Sequence, residues 1–130
     1  MDIYNALLDH FERRLGRGVT MGNDLDTVGR EAFGDYDWGG VYAKDGDWRG
    51  KKGYKIVNLD SKGQVGSHWV AIAGGMLYDS FGRKSILGET SLQDVERDAE
   101  QLKIEDNCGQ RCLAWLGVYR ILGPQIAYTI

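Results

Sequence analysis

Long apolar runs are absent from this chain. No stretch approaches the ~20 residues of a membrane-spanning helix, and no signal-peptide pattern opens it, so an intracellular, non-secreted protein without a membrane partner is expected. Cysteine is scarce: Cys108 and Cys112 are the only two, as suits a reducing compartment. They sit one helical turn apart, where a disulfide is hard to form and would close only a short loop. Histidine is equally scarce, with His10 and His68 alone. Those two lack zinc-finger spacing, and Cys-x3-Cys on a helix is not a common structural zinc pattern, so no metal and no cofactor is expected. A basic excess is lacking as well. The 16 Lys and Arg against 19 Asp and Glu leave a net charge of −3. That argues against nucleic acid as an obligatory partner, because neutralising a phosphate backbone needs a basic surface. The small cluster Arg13, Arg14 and Arg17 reads as decoration of a solvated helix face. Repeats, low-complexity tracts and long linkers are missing too.

What remains is an ordinary globular composition, 42% hydrophobic and 27% charged. A chain of 130 residues has the size of one domain and can bury one core. Ile3, Leu7, Leu8, Phe11 and Leu15 recur at helical spacing over Asp2 to Leu15, and His10 falls on the charged side of that helix. Asp24 to Val28 reads as a short helix entry. From Gly34 to Gly53 glycine, aspartate and aromatics follow no steady period, which predicts loops and short strands, with one strand over Gly39 to Ala43. Tyr54 to Leu59 is a clearer strand and Asp60 to Gly66 a loop. Ser91 is an N-cap candidate for a helix over Leu92 to Ala99, Leu102 to Ile104 reads as an edge strand, and Ala127 to Ile130 as a final strand after Pro124. Helices with a mostly antiparallel central sheet make an α+β fold.

The chemistry-bearing residues fall in two places. In the first, Trp69 to Ala73 is apolar and partly β-branched, so it reads as a buried strand. Gly74-Gly75 fits a two-residue hairpin turn whose central positions need positive φ, and Met76 to Ser80 returns antiparallel. With Ala73 opposite Met76, Val70 faces Asp79 and His68 lies diagonal to Asp79, within reach of its carboxylate. The aspartate would accept a hydrogen bond from imidazole Nδ1, fixing the tautomer and leaving Nε2 to act on a thiol. A one-residue slip in register would separate the two side chains onto opposite faces. The blander alternatives are a structural histidine, and an aspartate that merely starts a turn in Tyr78-Asp79-Ser80.

The second place supplies the thiol. Cys108, Cys112, Trp115, Leu116, Tyr119 and Leu122 recur at helical spacing, which predicts an amphipathic helix facing a core, with Asp106 and Asn107 as N-cap residues. Cys108 then lies in the first turn, where free N–H groups and the helix dipole favour a thiolate and a developing oxyanion. Gly109 adds no side chain beside the sulfur, leaving room for an extended substrate. Cys112 reads as a packed core thiol. Gln101 offers an amide as a second oxyanion donor, with Glu100, Gln110 and Asp106 as rival polar residues in the same stretch.

The ordered set His68-Trp69, Asp79-Ser80-Phe81-Gly82, Gln101 and Cys108-Gly109 resembles the adenovirus-type (adenain-like) cysteine proteases, in the superfamily that includes SUMO-specific proteases. The order His, acid, Gln, Cys is distinctive, since papain-like enzymes put the cysteine first. Weaker similarity runs through Trp38 to Lys44 and Ile56-Val57-Asn58. The resemblance implies a papain-related fold in which the sheet packs against the cysteine helix. It makes Cys108 the nucleophile, His68 the general base, Asp79 the residue that orients it and Gln101 an oxyanion donor. Trp69 and Gly109 would line the substrate site, Trp69 packing beside the imidazole. Also implied are a protein or peptide substrate and a viral maturation role in the host cytoplasm, nucleus or virion, cutting structural precursor proteins. The acid is Asp, as in the SUMO proteases, where adenain has Glu. The short stretch from Lys84 to Glu100 lacks the insertion that carries adenain's activator cysteine, and the chain ends soon after the helix, so activation by a linked peptide or by DNA is not carried over. An isopeptidase for ubiquitin-like modifiers, and a weakly active relative with a binding or structural role, are the alternatives.

Overall fold

A computed structural model describes residues 2–59, 68–83, 86–88, 91–95 and 106–130. In chain order the elements are α1 (Asp2–Leu15), α2 (Gly22–Asp37), β1 (Trp38–Ala43), β2 (Tyr54–Asn58), β3 (Trp69–Ala73), β4 (Met76–Tyr78), β5 (Gln93–Asp94), α3 (Cys108–Leu122) and α4 (Pro124–Tyr128). The strands form a five-stranded sheet in sequential order, β1-β2-β3-β4-β5. The fold class is α+β, but the sheet is mixed rather than mostly antiparallel. Its three central strands pair antiparallel, and both outer pairs, β1 with β2 and β4 with β5, are parallel.

The helices and the sheet share their apolar surface by strand alternation. Ile56, Trp69, Ala71, Ala73 and Tyr78 belong to the main core, with Tyr4, Leu8 and Phe11 of α1, Leu25, Val28 and Phe33 of α2, and the buried residues of α3. Their neighbours in sequence, Val57, Val70, Ile72 and Leu77, face a smaller cluster with Trp48 and Leu87. Strand β3 is thus buried on both faces, which is why Trp69 to Ala73 reads as an unbroken apolar run rather than an alternating one. Helix α3 spans the residues expected of it, yet it is not amphipathic. Every residue from Cys108 to Val118 is buried, because α1 and β3 both pack against it.

Four local expectations are corrected. The helix entry at Asp24 extends through Asp37, kinked at Gly34. Gly29 and Gly34 mask the periodicity of Leu25, Val28 and Phe33, which are buried. The segment after Ser91 does not open a helix: Gln93–Asp94 pairs with β4. There the Gln93 and Val95 N–H groups donate to Gly75 O and Leu77 O at 2.8 and 3.1 Å, so an open sheet edge outweighs the local capping signal. The end of the chain is helical over Pro124–Tyr128, not a strand. Proline favours the first helical position, and Trp115 Nε1 of α3 holds Ala127 O at 2.9 Å. Asn107 is the N-cap of α3 but makes no capping side-chain bond. Its amide instead accepts from Arg111 Nε at 3.0 Å and donates to Glu12 at 3.2 Å. The edge strand expected over Leu102 to Ile104 and the remainder of the Leu92 to Ala99 helix lie outside the described residues. Among the described residues no helix is long and apolar enough to cross a membrane.

Candidate active site

The β3–β4 hairpin has the register read from its turn. Ala73 pairs with Met76, Ile72 with Leu77 and Ala71 with Tyr78, and Gly74 and Gly75 take φ of 56° and 96°, the left-handed pair a type I′ turn requires. The hydrogen bond from Leu59 N–H to His68 O (3.0 Å) continues the β2–β3 ladder to the residue before β3. His68 and Asp79 therefore meet, with Nε2 2.6 Å from Asp79 Oδ1. Both side chains are buried, 8% and 2% exposed.

Asp79 plays both parts that its sequence context allows. It starts a turn, accepting Gly82 N–H at its carbonyl (2.8 Å) and Phe81 N–H at Oδ1 (3.0 Å), the local side-chain-to-backbone bond typical of aspartate. The same carboxylate holds the imidazole. Its other oxygen, Oδ2, accepts from Arg83 Nε at 2.8 Å. Burial pushes the Asp79 carboxyl up, but the bonds from His68, Arg83 and the Phe81 N–H outweigh it, and the net direction is down. A carboxylate only accepts, so Nε2 of neutral His68 must carry the proton and Nδ1 the lone pair. This reverses the expected roles of the two nitrogens. The physical reason is ring orientation, which hairpin register does not specify. Nδ1 is buried and makes no hydrogen bond among the described residues.

Cys108 reaches the same place from α3. The Trp69 N–H, one residue after His68, donates to Cys108 Sγ at 3.3 Å. Burial pushes the thiol up, and the backbone N–H groups of Trp69, Gly109 and Cys108 pull it partly back, leaving a net rise. The helix N-terminus thus acts on the sulfur as expected, but desolvation wins, and the resting group is a thiol rather than a thiolate. Cys112, one turn on, is fully buried and its thiol is raised further by burial.

The two expected lining residues serve packing. The Trp69 indole is buried in the main core, its Nε1–H pointing to Thr20 O at 3.3 Å. The ring stacked on the imidazole is Phe81 instead, with centroids 4.5 Å apart and planes at 19°. A Cβ at Gly109 would lie 2.3 Å from Thr20 Oγ1 and 3.0 Å from Leu25 Cδ2, so this glycine makes room for Thr20 and for Leu25 of α2. Gln101 and its rival Glu100 lie outside the described residues. Gln110 is committed elsewhere, donating to Gly16 O and Gly18 O at 2.7 and 3.0 Å, and Asp106 is exposed.

Several residues in and around the site carry no functional signal of their own in the sequence. Arg83 stands four residues after Asp79, the one spacing that hints at it. Tyr4 Oη lies 2.7 Å from Tyr78 Oη and accepts from Arg111 Nη1 at 3.2 Å. That network ties α1, β4 and α3 together one residue before Asp79 and three after Cys108. Among the described residues no group of three or more His, Cys, Asp or Glu could hold a metal ion. No protein-family model, curated protein or solved structure matches the chain.

Proposed function

We propose that this protein is a cysteine endopeptidase working through Cys108, His68 and Asp79. The observation that carries the reading is the convergence of two distant segments: an Asp79-oriented imidazole and, through Trp69 N–H, the sulfur at the N-terminus of α3. His68 Nδ1 takes the proton of the Cys108 thiol as Sγ bonds to the substrate carbonyl carbon. The oxyanion forms near the first N–H groups of α3. Collapse breaks the C–N bond, and the imidazolium returns its proton to the leaving amine. Water then attacks the thioester with His68 again as base, releasing the acid and the free thiol. The thiol rests protonated, because burial and the nearby Asp79 carboxylate raise it more than the backbone N–H groups lower it. Gln101 is proposed as a further oxyanion donor. The resemblance to adenain-like enzymes supports a protein substrate and a role in virion maturation.

The test is labelling by an irreversible thiol-directed peptide probe. Rapid modification should vanish in Cys108→Ala, fall about 10²–10⁴-fold in His68→Ala, the usual worth of a general base, and persist in Cys112→Ala. Equal, slow labelling of both thiols irrespective of His68 would sink the proposal. Unfolded peptides and modifier fusions offered side by side then separate an endopeptidase from an isopeptidase.

A further inference from the structure

We propose that Arg83 is a positioning residue of this site, fixing the outer oxygen of Asp79 and the ring that lies on His68, so that the imidazole keeps Nε2 on Asp79 and leaves Nδ1 as its working nitrogen. The inference rests on the cysteine-peptidase reading above. Five contacts carry it. Arg83 Nε holds Asp79 Oδ2 at 2.8 Å. Asp79 Oδ1 is shared by His68 Nε2 at 2.6 Å and Phe81 N–H at 3.0 Å. Arg83 Cζ lies 5.2 Å from the centroid of Phe81, the ring stacked on the imidazole. A carboxylate gripped at one oxygen only can rotate about its Cβ–Cγ bond. Gripped at both, it holds the imidazole to one direction, and the planar guanidinium suits that task better than an ammonium. Arg83 itself touches no reacting atom.

The guanidinium is 43% exposed while the carboxylate is 2% exposed, so Arg83 is the solvent-facing cover of a buried charge. The ionisable groups acting on or facing Asp79 among the described residues are His68 from the start of β3, Arg83 from its own turn, and Cys108 and Cys112 from α3. Arg83 is the one permanent cation in this group. Removing it leaves the burial of Asp79 less opposed, so the carboxylate that holds the imidazole takes up a proton at higher pH and the acid side of the activity profile moves up with it.

The experiment is the rate of Cys108 labelling against pH for the wild type, Arg83→Gln and Arg83→Lys, with thermal unfolding recorded for each. Arg83→Gln should shift the acid limb upward, lowering the rate at pH 5 relative to pH 7 by several-fold, and should drop the plateau by about 10-fold through misorientation. Arg83→Lys keeps the charge without the planar fork, so it should restore the acid limb while recovering the plateau only in part. A profile of Arg83→Gln that superposes on the wild type overturns the inference, as does a lysine variant whose acid limb follows glutamine. Should Arg83→Gln fail to fold, the lysine variant decides: a full wild-type plateau overturns the inference. Wild-type labelling indifferent to His68 would defeat the reading of the site itself, a distinct result.

Discussion

Asp79 has two oxygens and three donors aimed at them: His68 Nε2, the Phe81 N–H and Arg83 Nε. An asparagine there keeps the shape but offers one accepting oxygen. Its amide N–H₂ must then face either Arg83, donor against donor, or His68, where it would draw a lone pair to Nε2 and move the proton to Nδ1. Either outcome spoils the base. Asp79→Asn is therefore expected to cut the labelling rate of Cys108 by about 10³-fold or more while the fold survives. The check is the rate itself together with the ¹⁵N shifts of His68, which report the tautomer. An unchanged Nε2–H tautomer with an unchanged rate would contradict the assignment of the two nitrogens.

At the level of the element, the β3–β4 hairpin decides whether His68 and Asp79 meet, and its turn is held from outside. A Cβ at Gly74 would lie 2.1 Å from Tyr119 Oη and 3.2 Å from its Cζ, whereas Gly75 faces open space. Both glycines have positive φ, so alanine at either is disfavoured by about 1–2 kcal/mol. Alanine at position 74 must also displace a tyrosine that packs on Tyr54 and Trp115. Gly74→Ala should thus lower the thermal midpoint more than Gly75→Ala, and adding Tyr119→Phe should return part of the difference. A double-mutant cycle read by thermal unfolding measures the coupling. No coupling would mean that Tyr119 does not brace the turn.

For the whole molecule, the buried carboxylate links the site to stability. The Asp79 carboxyl is held below its ordinary value when folded, burial opposing and the bonds from His68, Arg83 and Phe81 prevailing. A group with a lowered folded value contributes stability that is fully present above the unfolded value and is lost as pH falls through the folded one. The wild type should therefore lose part of its thermal midpoint on going from neutral pH to about pH 3 that Asp79→Asn does not lose, the other carboxylates affecting both alike. Equal acid sensitivity of the two proteins would show that the carboxylate contributes no net stability at this position.

The sequence by itself determined the elements whose signals are local. The α3 span agrees with the sequence reading although its faces do not, the Gly74-Gly75 turn follows from the φ that glycine allows, and the hairpin register follows from that turn, which brings His68 to Asp79. Those are short-range consequences of backbone sterics and of apolar spacing. Only the tertiary structure decided what depends on neighbours distant in the chain. An open β4 edge drew Gln93–Asp94 into a strand despite a helix cap. Packing of α1 and β3 around α3 buried it from Cys108 to Val118 and raised the Cys108 thiol against the pull of its helix. The imidazole turned Nε2 to Asp79, Phe81 rather than Trp69 took its face, and Arg83 closed the second oxygen. Ring orientation, desolvation and a partner four residues beyond a turn leave no periodic trace in a sequence, because each is set by what packs against the group and not by the residues that flank it.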